Sequence, residues 1–213
     1  MPTRTPYSDE PEYRERYTQR FDRFYSRFAR LYDWLIKVLP FWRTWLNHAV
    51  ASLQGTRILE VSYGTGYLLT QYADRFQTYG VDLNKTLAAI AKQNLEQQGI
   101  AARLQVADVE TLPYADSSFD TVVNTMSFTG YPDGTKALAE ISRVLRPGGR
   151  LVMIDINYPR DGNRSGVLLT RGWARGGDII RDMGLLFKRF GFQYTDTEIG
   201  GCGSVHLYVA TKA

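Results

Sequence analysis

Cysteine and histidine are almost missing from this 213-residue chain: Cys202 is the one thiol, and His48 and His206 are the two imidazoles. One cysteine forms no internal disulfide. With so few imidazoles no thiolate or histidine zinc centre can be assembled, so a metal would have to rest on carboxylates and none is expected. No run of 18 apolar residues occurs, which excludes a membrane-spanning helix. The opening Met1-Pro2-Thr3-Arg4-Thr5-Pro6 lacks the apolar core of an export signal, and the expectation is a cytoplasmic protein in a reducing compartment. Internal repeats and low-complexity tracts are absent too. With 44% hydrophobic and 23% charged residues, the chain is neither disordered, collagenous nor a coiled coil. The net charge of +4 permits weak attraction to an anionic partner such as a lipid surface, and requires none.

What is present is unevenly placed. Twelve of the 28 aromatic residues lie in the first 50 positions. Tyr13, Tyr17, Phe21, Phe24, Phe28 and Tyr32 are spaced 4, 4, 3, 4 and 4, which sets them along one helical face, while Arg14, Arg16, Arg20, Arg23, Arg27 and Arg30 occupy the other. A second amphipathic piece runs from Trp34 to Val50, with Pro40 expected to break or restart it. The reading is a flexible tail over residues 1–12 and two helices over 13–51.

Beyond Gly55 the texture alternates. Strands are predicted at 57–61, 78–82, 103–106, 119–124 and 150–156. Helices are predicted at 84–98, capped by Asn84 and stopped by Gly99, and at 135–145, ended by Arg146-Pro147-Gly148-Gly149. Short continuous apolar strands alternating with helices indicate a parallel sheet covered on both faces. The chain then reads as a helix over 178–190 and two strands, 193–199 and 204–211, joined by Gly200-Gly201-Cys202-Gly203: an antiparallel hairpin at one edge.

The chemistry concentrates after the first strand. Glu60-Val61-Ser62-Tyr63-Gly64-Thr65-Gly66 is a strand followed by a glycine turn, where Gly64 and Gly66 would let a ligand approach the backbone. Open parallel sheets bind ligands at the carboxyl ends of their strands. Asp82 ends the next strand, 16 residues after Gly66, near the offset of an acid that holds ribose hydroxyls, and Leu83 could pack on a base. Asp108 and Val109 follow the third strand, where the acid could accept from an exocyclic amine. A nicotinamide cofactor fits poorly, since the position of its third glycine is Leu69 and its scheme has no place for an acid at Glu60.

These three elements, followed by Leu145-Arg146-Pro147-Gly148-Gly149-Arg150-Leu151 as a fourth, in order resemble the class I S-adenosylmethionine (SAM)-dependent methyltransferases over roughly residues 30–155. The run Ala107-Asp108-Val109-Glu110-Thr111-Leu112-Pro113-Tyr114 with Asp116-Ser117-Ser118-Phe119-Asp120 resembles the small-molecule and lipid branch, which includes the ubiquinone/menaquinone C-methyltransferases and bacterial phospholipid N-methyltransferases. The resemblance implies a doubly wound seven-stranded sheet in order 3-2-1-4-5-7-6 with strand 7 antiparallel, an N-terminal helical lid over 13–51, and a SAM-binding domain over 52–213. It implies SAM as donor and S-adenosylhomocysteine as product. Tyr32, Glu60, Ser62, Tyr63, Gly64, Thr65, Gly66, Asp82, Leu83, Asp108, Val109 and Asn124 become its cofactor-binding candidates. One departure is Ser62, where family members commonly carry glycine; its hydroxyl would either donate to the SAM carboxylate or crowd the site.

Methyl transfer from a sulfonium needs alignment and exclusion of water more than a catalytic triad, and no triad is visible. An oxygen or carbon acceptor usually needs a base, for which Tyr32, Asp155 and Tyr158 are the candidates. Phe128, Tyr131, Tyr158 and Trp173 are expected on the acceptor side. Asn124-Thr125-Met126-Ser127 lacks the Pro-Pro of nucleic-acid N-methyltransferases, so nucleic acid is a poor partner. The expected acceptor is small or lipid-like, and peripheral contact with an anionic membrane is an option for the aromatic and arginine-rich first helix. The alternatives are an RNA methyltransferase and a SAM-fold binding protein without transfer activity.

Overall fold

The computed structural model describes residues 11–213. Seven strands form one sheet in the order β3-β2-β1-β4-β5-β7-β6. They are β1 (Arg57–Val61), β2 (Gln77–Asp82), β3 (Arg103–Val106), β4 (Phe119–Thr125), β5 (Leu145–Ile156), β6 (Phe192–Gly200) and β7 (Val205–Lys212). The first five pair in parallel, and β7 runs antiparallel to both neighbours, β5 and β6. The edge hairpin and the strand order agree with the sequence reading.

Period-two alternation divides the strand residues between two cores. Leu59, Val122, Leu151 and Met153 face α5 (Gly134–Val144) and α7 (Met183–Arg189), where Leu138, Ile141 and Phe187 are fully buried. Ile58, Val123, Val152 and Ile154 face the other layer, built by Leu46 of α2 (Pro40–Asn47), Leu69 and Tyr72 of α3 (Leu69–Tyr72), and Ala91 and Leu95 of α4 (Lys85–Glu96). Burial on both faces is why these strands read as unbroken apolar runs.

The amino-terminal segment differs from its reading in detail. Helix α1 runs Pro11–Val38, so Pro11 and Glu12 belong to it, and the remainder of the supposed tail, 1–10, lies outside the described residues. Pro40 does open a new helix, α2, after an extended Leu39. The face that α1 turns inward carries Tyr17, Phe21 and Tyr25, whereas Phe28 is 42% exposed. The side chains of Tyr13, Phe24 and Tyr32 lie outside the described residues. Helix α1 is fastened by polar contacts. The Asn84 amide donates to the Asp22 carbonyl (3.2 Å), the Asp22 carboxylate (2.8 Å) and Ser26 Oγ (2.8 Å). Asn94 Nδ2 donates to Asp33 (3.1 Å), and the Tyr17 hydroxyl donates to the Gly177 carbonyl (2.7 Å).

Two helical boundaries also moved. The helix expected over 178–190 is only α7, and a separate helix, α6 (Arg164–Gly176), precedes it, capped by Asn163 and ended at Gly177, whose φ is +123°. The segment 146–149, expected to be a plain helix stop, lies within β5: the strand starts at Leu145 opposite Phe119 and resumes its register at Arg150 opposite Thr121.

At the amino edge of the sheet, Asp120 replaces a missing turn. Its Oδ2 accepts the N–H groups of Thr56 (2.5 Å) and Arg57 (2.9 Å), and its Oδ1 meets Arg146 at 2.5 Å. A Cβ on Gly55 would stand 2.3 Å from the Asp120 side chain, so that glycine lets the carboxylate in. Burial alone would raise this carboxyl, but the Arg57 and Thr56 N–H groups and the Arg146 guanidinium outweigh it and hold the pKa below the usual range.

Asp120→Ala should lower stability by about 2–4 kcal/mol in urea unfolding, the loss of two charge-assisted bonds to part-buried N–H groups. Because the folded carboxyl titrates low, that difference should be full at neutral pH and shrink as pH falls through the folded pKa. Asn84→Ala should remove both the α4 cap and the α1 fastening. It should cost about 1–2 kcal/mol and make α1 the first segment cut in limited proteolysis; an unchanged cleavage order would refute the fastening.

Candidate functional site

The carboxyl ends of β1 to β4 open into a cleft of about 1070 Å³ roofed by Thr18, Phe21, Asp22 and Tyr25 of α1. Its floor begins at the turn after β1. Ser62 leaves the strand in the left-handed region (φ 55°), its N–H bonded to the Val81 carbonyl at 2.6 Å. Gly64 (φ 57°) then points its N–H at Asp82 Oδ2, 2.8 Å away, and Asp82 Oδ1 accepts the Asn84 N–H at 2.8 Å. Burial, opposed by these N–H groups of Asn84 and Gly64 and aided by nearby Asp22, pushes the Asp82 carboxyl up to about 6. Leu83 stands beside it, 44% exposed on the rim. Across the cleft, Asp108 accepts the Glu110 N–H at 2.9 Å, and Val109 is buried below.

Gly66 serves otherwise than expected. A Cβ there would meet the Cβ of Ala91 at 2.9 Å, so this glycine brings the turn against α4, and it does not line the cleft. Helix α3 begins only at Leu69 and has four residues, too short to present an N-terminal anion site.

A smaller hollow of about 340 Å³ lies on the other side of the turn, between Glu60, Ser62, Gly64, Thr65 and Trp42, with Tyr63 in its wall. Glu60 is buried and accepts the Tyr72 hydroxyl at 2.8 Å. Burial, only partly offset by that hydrogen bond and reinforced by Asp82, pushes its carboxyl up to about 8. Two polar atoms here are buried without a partner, the Trp42 indole Nε1 and Thr65 Oγ1. A buried donor with no acceptor costs free energy comparable to a lost hydrogen bond, and both orphans face the same hollow as the Glu60 carboxyl.

Beneath the cleft, the Tyr131 hydroxyl joins three polar groups. It lies 2.7 Å from Ser62 Oγ, 2.6 Å from Asn124 Nδ2 and 3.3 Å from Ser127 Oγ, and Asn124 also donates to Ser127 Oγ at 2.9 Å. Tyr131 lines the cleft. Asn124 is fully buried one layer below it. Ser62 therefore turns its hydroxyl to Tyr131.

Other candidates are placed apart from the cleft. Phe128 is a core residue under the Arg181 guanidinium. Tyr158 is 45% exposed and lines neither hollow. Asp155 is buried, and its carboxylate accepts from the N–H groups of Ser127, Phe128, Thr129 and Ile156, so it holds the turn after β4 together. Trp173 stands at 6.3 Å from Trp42, ring centroid to centroid. The Tyr32 side chain lies outside the described residues. His206 bonds to Asp196 at 2.8 Å inside β7. Among the described residues no three His, Cys, Asp or Glu side chains converge as a metal site, and no helix is long and apolar enough to cross a membrane.

Sequence reasoning missed Tyr25, Trp42 and Asp178. Tyr25 sits four residues beyond Phe21 and was findable by helical spacing; nothing local marks Asp178, which arrives from the turn after α6.

Comparison with known proteins agrees with this geometry. Residues 59–153 match the family described as a methyltransferase domain. The chain is 35% identical over 146 residues to a demethylmenaquinone methyltransferase of Thermus thermophilus, covering 65% of this chain and 66% of that one. It is 32% identical over 153 residues to a ubiquinone/menaquinone biosynthesis C-methyltransferase of Geotalea daltonii, covering 67% and 65%. The chain thus spans just under two thirds of the length of these relatives. Among solved structures, a SAM-dependent methyltransferase of Thermotoga maritima superposes with a TM-score of 0.70 at 19% identity, covering 89% of this chain and 98% of that one. The [4+2]-cyclase SpnF superposes at 0.64 and 19% identity, covering 88% and 80%, so the fold by itself does not fix the reaction. Sheet order, the glycine turn with its acid and the sequence matches agree, and residues 59–153 are similar to the methyltransferase domain.

Proposed function

We propose that this protein transfers a methyl group from SAM to a small, lipid-like acceptor. The observation that carries the reading is the pairing of two sites across one turn: Asp82 beside the Gly64 N–H in the cleft, and Glu60 with the orphan Trp42 Nε1 and Thr65 Oγ1 in the adjoining hollow. Such a set fits a long ligand with a nucleoside at one end and an amino acid at the other. Asp82 would accept from the ribose hydroxyls, Leu83 and Val109 would flank the base, and Asp108 would accept from its amine. Glu60 would face the ammonium, and a cation there returns its carboxyl to the ionised form. Trp42 and Thr65 would donate to the carboxylate. Tyr63 and Gly66 shape the turn from behind, and Asn124 acts through Tyr131. When bound, the donor supplies a methyl group on a positively charged sulfur. The chain's residues then align the acceptor with it and keep water out.

Helices α1 and α2 act as the lid over this site, and 52–213 as the domain that carries it. The names of the sequence relatives point to a quinone as acceptor. A cytoplasmic protein that touches the membrane surface suits such a substrate. Leu31 and Trp34 of α1 are 52% and 57% exposed, next to the exposed arginines Arg23, Arg27 and Arg30.

Asp82→Ala should weaken SAM binding by roughly 10- to 150-fold in calorimetry, the equivalent of about 1.5–3 kcal/mol for a doubly used carboxylate. The wild-type affinity should also fall as pH drops through about 6, because the protonated Asp82 carboxyl is a poorer acceptor. Unchanged affinity in the folded variant rejects the reading. For the membrane contact, sedimentation with phosphatidylglycerol vesicles should exceed that with phosphatidylcholine, and Trp34→Ala should reduce both; equal binding to the two vesicles removes the electrostatic part.

A further inference from the structure

A second cavity of about 840 Å³ opens between α1, α2, β5 and α6. Its walls are apolar: Leu35, Leu39 and Trp42 on one side, Ile156 and Trp173 on the other. It adjoins the cleft through Tyr25, Met126 and Asp178, which line both spaces. A molecule held in this cavity therefore reaches the cleft at the Asp178 carboxyl.

Asp178 is one end of a three-residue chain. Thr129 Oγ1 lies 2.8 Å from Asp178 Oδ1 and 2.8 Å from Asp155 Oδ1. A hydroxyl has one hydrogen for two carboxylates, so both contacts are satisfied only when one carboxyl carries a proton. Asp155 is the more deeply buried of the pair, and burial pushes its carboxyl up to about 6. When Asp155 holds that proton, Thr129 donates to Asp178, and the half-buried Asp178 carboxylate can accept another where the cavity meets the cleft.

Resting on the methyl-transfer reading above, we propose that Asp178 is the base of the reaction, taking the proton of a hydroxyl on an apolar acceptor bound in this cavity beside the Trp42–Trp173 pair. The acceptor's O–H proton moves to the Asp178 carboxylate. The acceptor oxygen uses the electron pair thus released to bond the methyl carbon while the carbon–sulfur bond breaks, its pair remaining on sulfur. The proton passes from Asp178 to water, and one proton is released per methyl transferred. Burial raises the Asp178 carboxyl above the ordinary aspartate range, which makes it a stronger base than a surface aspartate. The groups around it are compatible with this work. Tyr25 of α1, pushed up to about 12 by burial and by Asp178, stays neutral. Asp155 of β5 lies behind Thr129, and the Arg181 guanidinium is turned to the carbonyls of Phe128 and Tyr131. The assignment replaces Asp155, whose lone pairs are engaged, and the exposed Tyr158 as base.

The test uses the full chain with 1-naphthol and 1,4-dihydroxynaphthalene as probes, following S-adenosylhomocysteine release, with SAM binding measured separately by calorimetry. Asp178→Asn should bind SAM and keep KM for the probe within about threefold, yet lose on the order of 100-fold or more in kcat. The wild-type rate should fall on the acid side as Asp178 becomes protonated, and that limb should vanish in Asp178→Asn. Asp178→Glu should restore part of the rate with a displaced limb, and it carries the test if Asp178→Asn does not fold. A variant that keeps a third or more of kcat, keeps the wild-type acid limb, or loses only through KM overturns the proposal. So does a wild type that binds SAM and methylates neither probe. A wild type that fails to bind SAM overturns the methyl-transfer reading instead.

Discussion

The site is organised around one carboxylate with two backbone partners. Asp82 ends β2 and accepts one N–H from the glycine turn after β1 and another from the start of α4. Asn84, fixed by the second bond, uses its own Oδ1 to cap α4 through the Leu87 N–H and its amide to hold α1 at Asp22 and Ser26. A single acidic side chain thereby sets the spacing of two strand ends and, through its neighbour, the position of the helix above them. The outcome is a cleft whose floor is backbone and whose roof comes from a different part of the chain.

The charge distribution is opposite to that of the whole molecule. The chain carries a net +4, yet Glu60, Asp82, Asp155 and Asp178 are clustered at the carboxyl edge of the sheet. Burial raises each of them, and backbone N–H groups compensate Asp82, Asp155 and Asp178 only in part. A ligand with a cationic centre meets this demand where a dianionic pyrophosphate would oppose it. The same electrostatics sets the nicotinamide alternative aside for a reason beyond the missing third glycine.

Much of the scaffold was legible because each strand carries its own signal. Apolar runs such as Ile58–Val61 and Val122–Val123 specify burial on both faces, and the caps at Asn84 and Gly99 bracket α4. Glu60, Ser62, Gly64, Asp82 and Asp108, which the structure gathers around one turn, could be singled out because a strand-turn-acid order is local in sequence. What escaped depends on tertiary contact. Gly66 looked like a ligand glycine and turned out to accommodate Ala91. Asp155 looked like a free acid because four N–H groups from two separate segments cannot be read from its neighbours. Helix α6 was overlooked because arginines and glycines interrupt its apolar pattern, although Asn163 and Gly177 frame it. The aromatic stripe of α1 was misplaced by part of a turn, since Tyr25 and not Phe28 faces the sheet.

The four tryptophans, Trp34, Trp42, Trp45 and Trp173, all belong to α1, α2 and α6, and none lies in the sheet. Trp45 packs against Gly200 at the far end of the hairpin, while Trp42 and Trp173 pack against each other in the wall of the second cavity. Indole emission from this molecule thus originates wholly in its helical cover. Ultraviolet fluorescence would follow the movement of that cover in the intact protein, a native optical gauge that needs no attached dye.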